Sequence, residues 1–119
     1  CEWVEAIDEQ GVKRRGLCVY SLGNFLAGKR SEAQDTGIVF EFTIQETEPG
    51  LFEIVSPRYM PTYICQTGND YLVVACGDWI EEPAEGMSKR VQARVREAWN
   101  YIEKLMGEDV AEPMAADSQ

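Results

Sequence analysis

The stretch Gly16-Leu17-Cys18-Val19-Tyr20-Ser21-Leu22-Gly23-Asn24-Phe25 decides how this chain is read. It opens as an unbroken apolar run, the pattern of a strand covered on both faces. It then breaks at Gly23-Asn24, two residue types that tolerate left-handed backbone, so a tight loop follows the strand end. Small polar groups at the tip of a buried strand are well placed to border a site. Ser21, Gly23 and Asn24 are therefore the candidate site-loop residues. The same residues serve equally well as backbone partners in an ordinary turn, and spacing alone leaves both roles open.

On the N-terminal side, Glu2 to Ile7 alternates weakly, Asp8-Glu9-Gln10-Gly11 carries turn chemistry, and Val12 to Tyr20 resumes extended. The spacing predicts a hairpin whose second strand runs into the central stretch. Lys13-Arg14-Arg15 lies on this hairpin and reads as a solvated edge, since edge strands carry charge that discourages pairing. On the C-terminal side, Ala27 to Thr36 is polar and reads as a loop. Gly37 then opens a strand with Ile38, Phe40, Phe42 and Ile44 on one face and Val39, Glu41 and Thr43 on the other. Glu48-Pro49-Gly50 closes a turn and Leu51 to Val55 returns as the partner. Pro57 and Pro61 predict an edge or interrupted strand beyond it. Thr67-Gly68-Asn69-Asp70 is a further hairpin turn, which sets Cys65 opposite Leu72 and away from Cys76.

Gly77 to Gly86 is acidic, contains Pro83 and reads as a linker. Ser88 can cap the helix that follows. Val91, Val95, Ala98, Trp99, Ile102, Leu105 and Met106 form one stripe of an amphipathic helix, with Gly107 at its C-cap. That stripe reads as core or as an interdomain contact. The predicted fold class is α+β, a mostly antiparallel sheet of hairpins followed by one C-terminal amphipathic helix. Residues 1–107 form a single domain, and 108–119 a disordered acidic tail.

Composition narrows the function classes. The 119 residues suffice for one domain, and 11 Lys and Arg against 21 Asp and Glu give a net charge of −10. That balance argues against nucleic acid, whose binding needs clustered cations. No apolar run reaches the roughly 20 residues that span a bilayer. The chain contains 0 histidines, which removes Ser/His and Cys/His catalysis and histidine-ligated zinc sites. The remaining carboxylates are scattered rather than spaced as metal ligands. Cys1, Cys18, Cys65 and Cys76 show no ligand spacing and read as reduced structural thiols, although pairing is not readable from sequence.

Tyr20-Ser21-Leu22-Gly23-Asn24-Phe25 resembles the YSLGNF signature of the CapA-type poly-γ-glutamate capsule biosynthesis proteins, which have a calcineurin-like, metallophosphatase-related fold. Asp35-Thr36-Gly37-Ile38-Val39 is similar to that family's re-entry into a strand after a variable loop. Tyr59-Met60-Pro61-Thr62-Tyr63 is similar to its YxPTxx strand, and Cys1-Glu2-Trp3-Val4-Glu5 to the segment after its His-Pro-His motif. The resemblance covers Cys1 to Cys76, and the helix more loosely. It implies a C-terminal portion of a longer protein whose metal-ligand motifs lie upstream, so that this chain carries no catalytic residues and no metal of its own. It further implies a divalent metal in the full-length parent, a cell-surface or membrane-associated setting, and the upstream part of the same protein as first partner. Ser21, Gly23 and Asn24 would then border the metal centre and orient a ligand or a bound water. Cys1 in place of an initiating Met leads to the same expectation of a cut chain.

The competing expectation is a free-standing interaction module that binds a protein partner through a sheet edge and the helix stripe. Self-association through exposed apolar surface is expected of a truncated piece, whereas a clean two-state monomer would favour the module.

Overall fold

A computed structural model describes residues 1–24 and 34–115. Phe25, most of the loop expected after it, and residues 116–119 of the tail lie outside the described residues. The opening hairpin forms as expected. β1 (Glu2–Ile7) and β2 (Lys13–Cys18) pair antiparallel, from Glu2 opposite Cys18 to Ile7 opposite Lys13. Asp8 makes the turn, its carboxylate accepting from Val12 N–H at 2.8 Å and Gln10 N–H at 2.9 Å. Those backbone donors, with Arg14 beside them, hold the Asp8 carboxyl below its ordinary value. The basic triplet is partnered within the hairpin: Lys13 with Glu5 at 2.7 Å, Arg14 with Asp8 at 2.9 Å, and Arg15 over the Trp3 ring at 3.8 Å.

The second sheet is built from β3 (Thr36–Glu48), β4 (Leu51–Thr67) and β5 (Asp70–Ala75), successive antiparallel hairpins with β4 in the middle. Cys65 stands opposite Leu72, as the turn at 67–70 dictates. Two helices follow, α1 (Cys76–Trp79) and α2 (Lys89–Met106). α1 occupies the start of the segment expected to be a plain linker. α2 begins where the Ser88 hydroxyl accepts from Val91 N–H at 3.3 Å, and ends at Gly107, whose φ is 70°. The mostly antiparallel α+β class thus holds.

Pro57 and Pro61 do not interrupt the chain or push it to an edge; both lie inside the central strand β4. The register explains each of them. Between the Glu41–Arg58 and Thr43–Val55 pairs a bulge holds Ser56, at φ 52°, and Pro57, so no ladder hydrogen bond is lost there. Pro61 faces Ile38 on the β3 side. On its other side it falls between the β5 pairing, which starts at Thr62, and β6 (Glu112–Pro113), which pairs parallel with Arg58 and Tyr59. A residue without an N–H fits that gap.

The expected disordered tail is corrected over residues 111–114. Ala111 is buried, β6 adds to β4, and Met114 N–H donates to Tyr59 O at 2.7 Å. An acidic composition misled here because pairing with a strand needs only the backbone.

α2 lies on one face of this sheet. Ile102 and Met106 pack with Ile38, Tyr59 and Ala111, while Val95 and Ala98 pack with Tyr63, Val74 and Cys76. Apart from the exposed Leu105, the helix stripe is therefore in the domain's own core and is not the free surface that the interaction-module expectation invoked. The predicted face of β3 is right, but its cover is partial. Ile38 is buried and Phe40 packs against it, whereas Phe42 and Ile44 are 44% and 61% exposed on the arm that runs past the helix.

Candidate functional site

The tip of the central stretch is bound to the sheet rather than hanging from it. Leu22 to Asn24 lie along the outer edge of β3: Ile38 N–H donates to Leu22 O at 2.8 Å, and Asn24 N–H to Thr36 O at 3.2 Å. Gly23 and Gly37 stand opposite each other in this bridge. Both must be glycine. Gly23 has φ 70°, and a Cβ there would lie 2.7 Å from Thr36 O. A Cβ on Gly37 would lie 2.7 Å from Asn24 O. Contacts that short force the two backbones apart, so the close approach is written into this glycine pair.

The other two candidate side chains serve the same closure. The Ser21 hydroxyl accepts from Gly23 N–H at 3.2 Å, and Asn24 Nδ2 donates to Gln34 O at 2.6 Å. Ser21, Gly23 and Asn24 are all exposed. The structure thus brings them together at one tip, each with a backbone contact.

An unexpected ion pair closes the far end of the loop. Asp35, 3% exposed, accepts at both carboxylate oxygens from Arg94 Nη2 of α2, each at 2.9 Å. The Asp35 backbone oxygen also accepts from Ile64 N–H at 2.8 Å. Arg94 lies 5.7 Å from the Tyr63 ring centroid and binds Glu97 as well. Burial pulls the Arg94 basicity down, but its hydrogen bonds to Asp35 and Glu97 outweigh that and lift it above its ordinary value. Sequence reasoning missed this pair because nothing local links positions so far apart. The available signal was an arginine flanking the apolar stripe, next to Val95.

Between the tip and α2 runs a groove of about 390 Å³. One wall is Val19 to Gly23 with Cys1, the floor is Thr36 and Ile38, and the opposite wall is Tyr101, Leu105 and Met106. Its rim is apolar and open, with Tyr20 75%, Leu22 51% and Leu105 59% exposed. The Tyr20 hydroxyl is hydrogen-bonded to the Glu2 carboxylate, which pushes its ionisation above the ordinary tyrosine value. Chemically, the groove offers apolar contact and hydroxyl-bearing side chains at Tyr20, Ser21, Thr36 and Tyr101, with the Asn24 amide just outside its lining.

Among the described residues no three His, Cys, Asp or Glu side chains gather, and both Asp35 oxygens are held by Arg94. The four thiols are free. Cys76 is fully buried, and burial pushes its thiol up to about 12, the state of an inert core residue. No helix of the described residues is long and apolar enough to cross a membrane. Compared with protein-family models, curated proteins and solved structures, the chain matches none of them.

Proposed function

We propose that this chain is the C-terminal portion of a CapA-like capsule biosynthesis protein, inactive alone, whose signature tip borders a site completed by upstream residues. The observation that carries the reading is the location of the signature: Tyr20 to Gly23 form a wall of the apolar groove, and Asn24, the next residue of the chain, lies outside its lining. A hydroxyl and an amide held beside such a groove can orient a polar ligand. The finer fold reading, a metallophosphatase-related scaffold, belongs to the same proposal and draws its support from the quoted motifs. The apolar rim suits the upstream part of the same protein as partner, since exposed patches of this kind mark interaction surfaces.

The test uses the full-length protein. The residues encoded immediately before Cys1 are expected to carry the His-Pro-His motif, and the purified protein to hold a divalent metal and hydrolyse p-nitrophenyl phosphate. Asn24→Ala in that protein is expected to lower turnover without loss of metal. An upstream sequence without the motif would overturn the family reading. The motif with neither metal nor hydrolysis would move the parent to a role in polymer transport or assembly.

A further inference from the structure

The outer edge of β3 is only half occupied. Near its start, Ile38 N–H and Thr36 O bond to Leu22 and Asn24. From Val39 to the turn after Thr47, no strand of the described residues pairs with it. Alternation from Ile38 points the N–H and C=O of Phe40, Phe42, Ile44 and Glu46 outward along this edge. Natural edges are guarded by Lys, Pro or a bulge that twists them away. Val39 to Thr47 contains no Lys and no Pro; one bulge lies on β4, the strand behind it, and the other, at Thr47, sits only at the far end of the edge. Two of the acids that could repel an incoming strand are engaged within the hairpin. Glu41 lies 3.8 Å from Arg58, and Glu46 accepts from Gly50 N–H at 2.8 Å.

We propose that a second copy of this chain pairs here, β3 antiparallel to β3 about a two-fold axis at Thr43. The free segment is bounded by the Leu22 bridge at one end and the turn at the other. Thr43 is the midpoint of its unbulged run from Phe40 to Glu46, so this register pairs all of that run. It sets Phe42 against Ile44, Phe40 against Glu46 and Glu41 against Gln45, so that no glutamate meets another. The exposed Phe42 and Ile44 of both copies then form one apolar strip, continuous with the Phe40 ring that lies 6.3 Å from Phe42. Such cross-strand pairs are the unit of sheet stability, and the interface is isologous as a two-fold requires. The inference is independent of the capsule reading and holds or fails without it.

Sedimentation across a concentration series tests it. The chain is expected to dimerise reversibly, and more tightly at higher salt, because a net charge of −10 on each copy repels. Ile44→Lys is expected to raise the dissociation constant roughly tenfold, since each of two symmetric pairs is lost. Circular dichroism checks that the variant is folded. Thr43→Cys should give a covalent dimer under mild oxidation, its disulfide joining position 43 of one copy to position 43 of the other, mapped by mass spectrometry against the native thiols. Gln45→Cys should not self-link, because position 45 faces Glu41. A monomer up to millimolar concentration, or a dimer in which position 45 links as readily as 43, would overturn the proposal.

Discussion

Removing Arg94 isolates the strongest prediction about what holds the site together. Its guanidinium is the principal partner of the Asp35 carboxylate; the side chains are 33% and 5% exposed. Fully buried pairs lose about 3–5 kcal/mol when one partner is removed, exposed ones about 0–1. This pair sits between the limits. In Arg94→Met the aliphatic packing is kept, but the carboxylate is left with the Thr36 hydroxyl at 3.3 Å. We expect a loss of about 2–3 kcal/mol, a fall in Tm on the order of 10 °C for a domain of this size. Asp35→Asn should cost less, about 1–2 kcal/mol, because Arg94 keeps Glu97 and partial access to water. The double variant should recover about 1–2 kcal/mol of coupling in urea titrations analysed as a double-mutant cycle. Amide exchange at Asn24 and Ile38 should quicken in the same variants, since Asp35 anchors the strand start that receives the tip. An Arg94→Met loss below about 0.5 kcal/mol, or strict additivity, would refute the reasoning.

Three further outcomes follow from the same geometry. Gly23→Ala should destabilise by about 1–3 kcal/mol through its positive φ and the clash with Thr36 O, and Gly37→Ala comparably, both read by urea titration. In the native chain at pH 8, Cys76 should react with a thiol reagent far more slowly than Cys1, Cys18 or Cys65. Equal rates before and after unfolding would contradict its burial. Burial, with Glu103 nearby, raises the Tyr59 hydroxyl above the ordinary tyrosine value. A raised folded value means that this contribution to stability is complete below the unfolded tyrosine value, about pH 10, and is lost as pH rises through the folded value. Alkaline melts should show that decline, and Tyr59→Phe should lessen it.

The parts of this fold that are local were legible. The alternation of Ile38, Phe40, Phe42 and Ile44, the turn at Asp8 to Gly11, the Ser88 cap and the Gly107 stop are set by neighbours within a turn or two, and each appears as read. What failed depends on distant partners. Pro57 and Pro61 argue for an interrupted strand until the bulge opposite Phe42 and the gap between β5 and β6 are known. Glu112-Pro113 reads as tail because its pairing with β4 uses the backbone alone. Ser21, Gly23 and Asn24 were found as a cluster, yet their anchor, Gly37, read only as a strand start. Asp35 and Arg94 come together only once β3 and α2 are packed. Nothing in periodicity announces such a pair.

Hydrogen exchange on the dilute native chain tests most directly whether the signature tip is built onto the sheet. The amides of Asn24 and Ile38, which donate to Thr36 O and Leu22 O, should be protected about 100-fold or more over the unfolded chain. If both exchange at the unfolded rate while Ile64 and Met114 stay protected, the tip is not part of the sheet and the groove beside it has lost a wall.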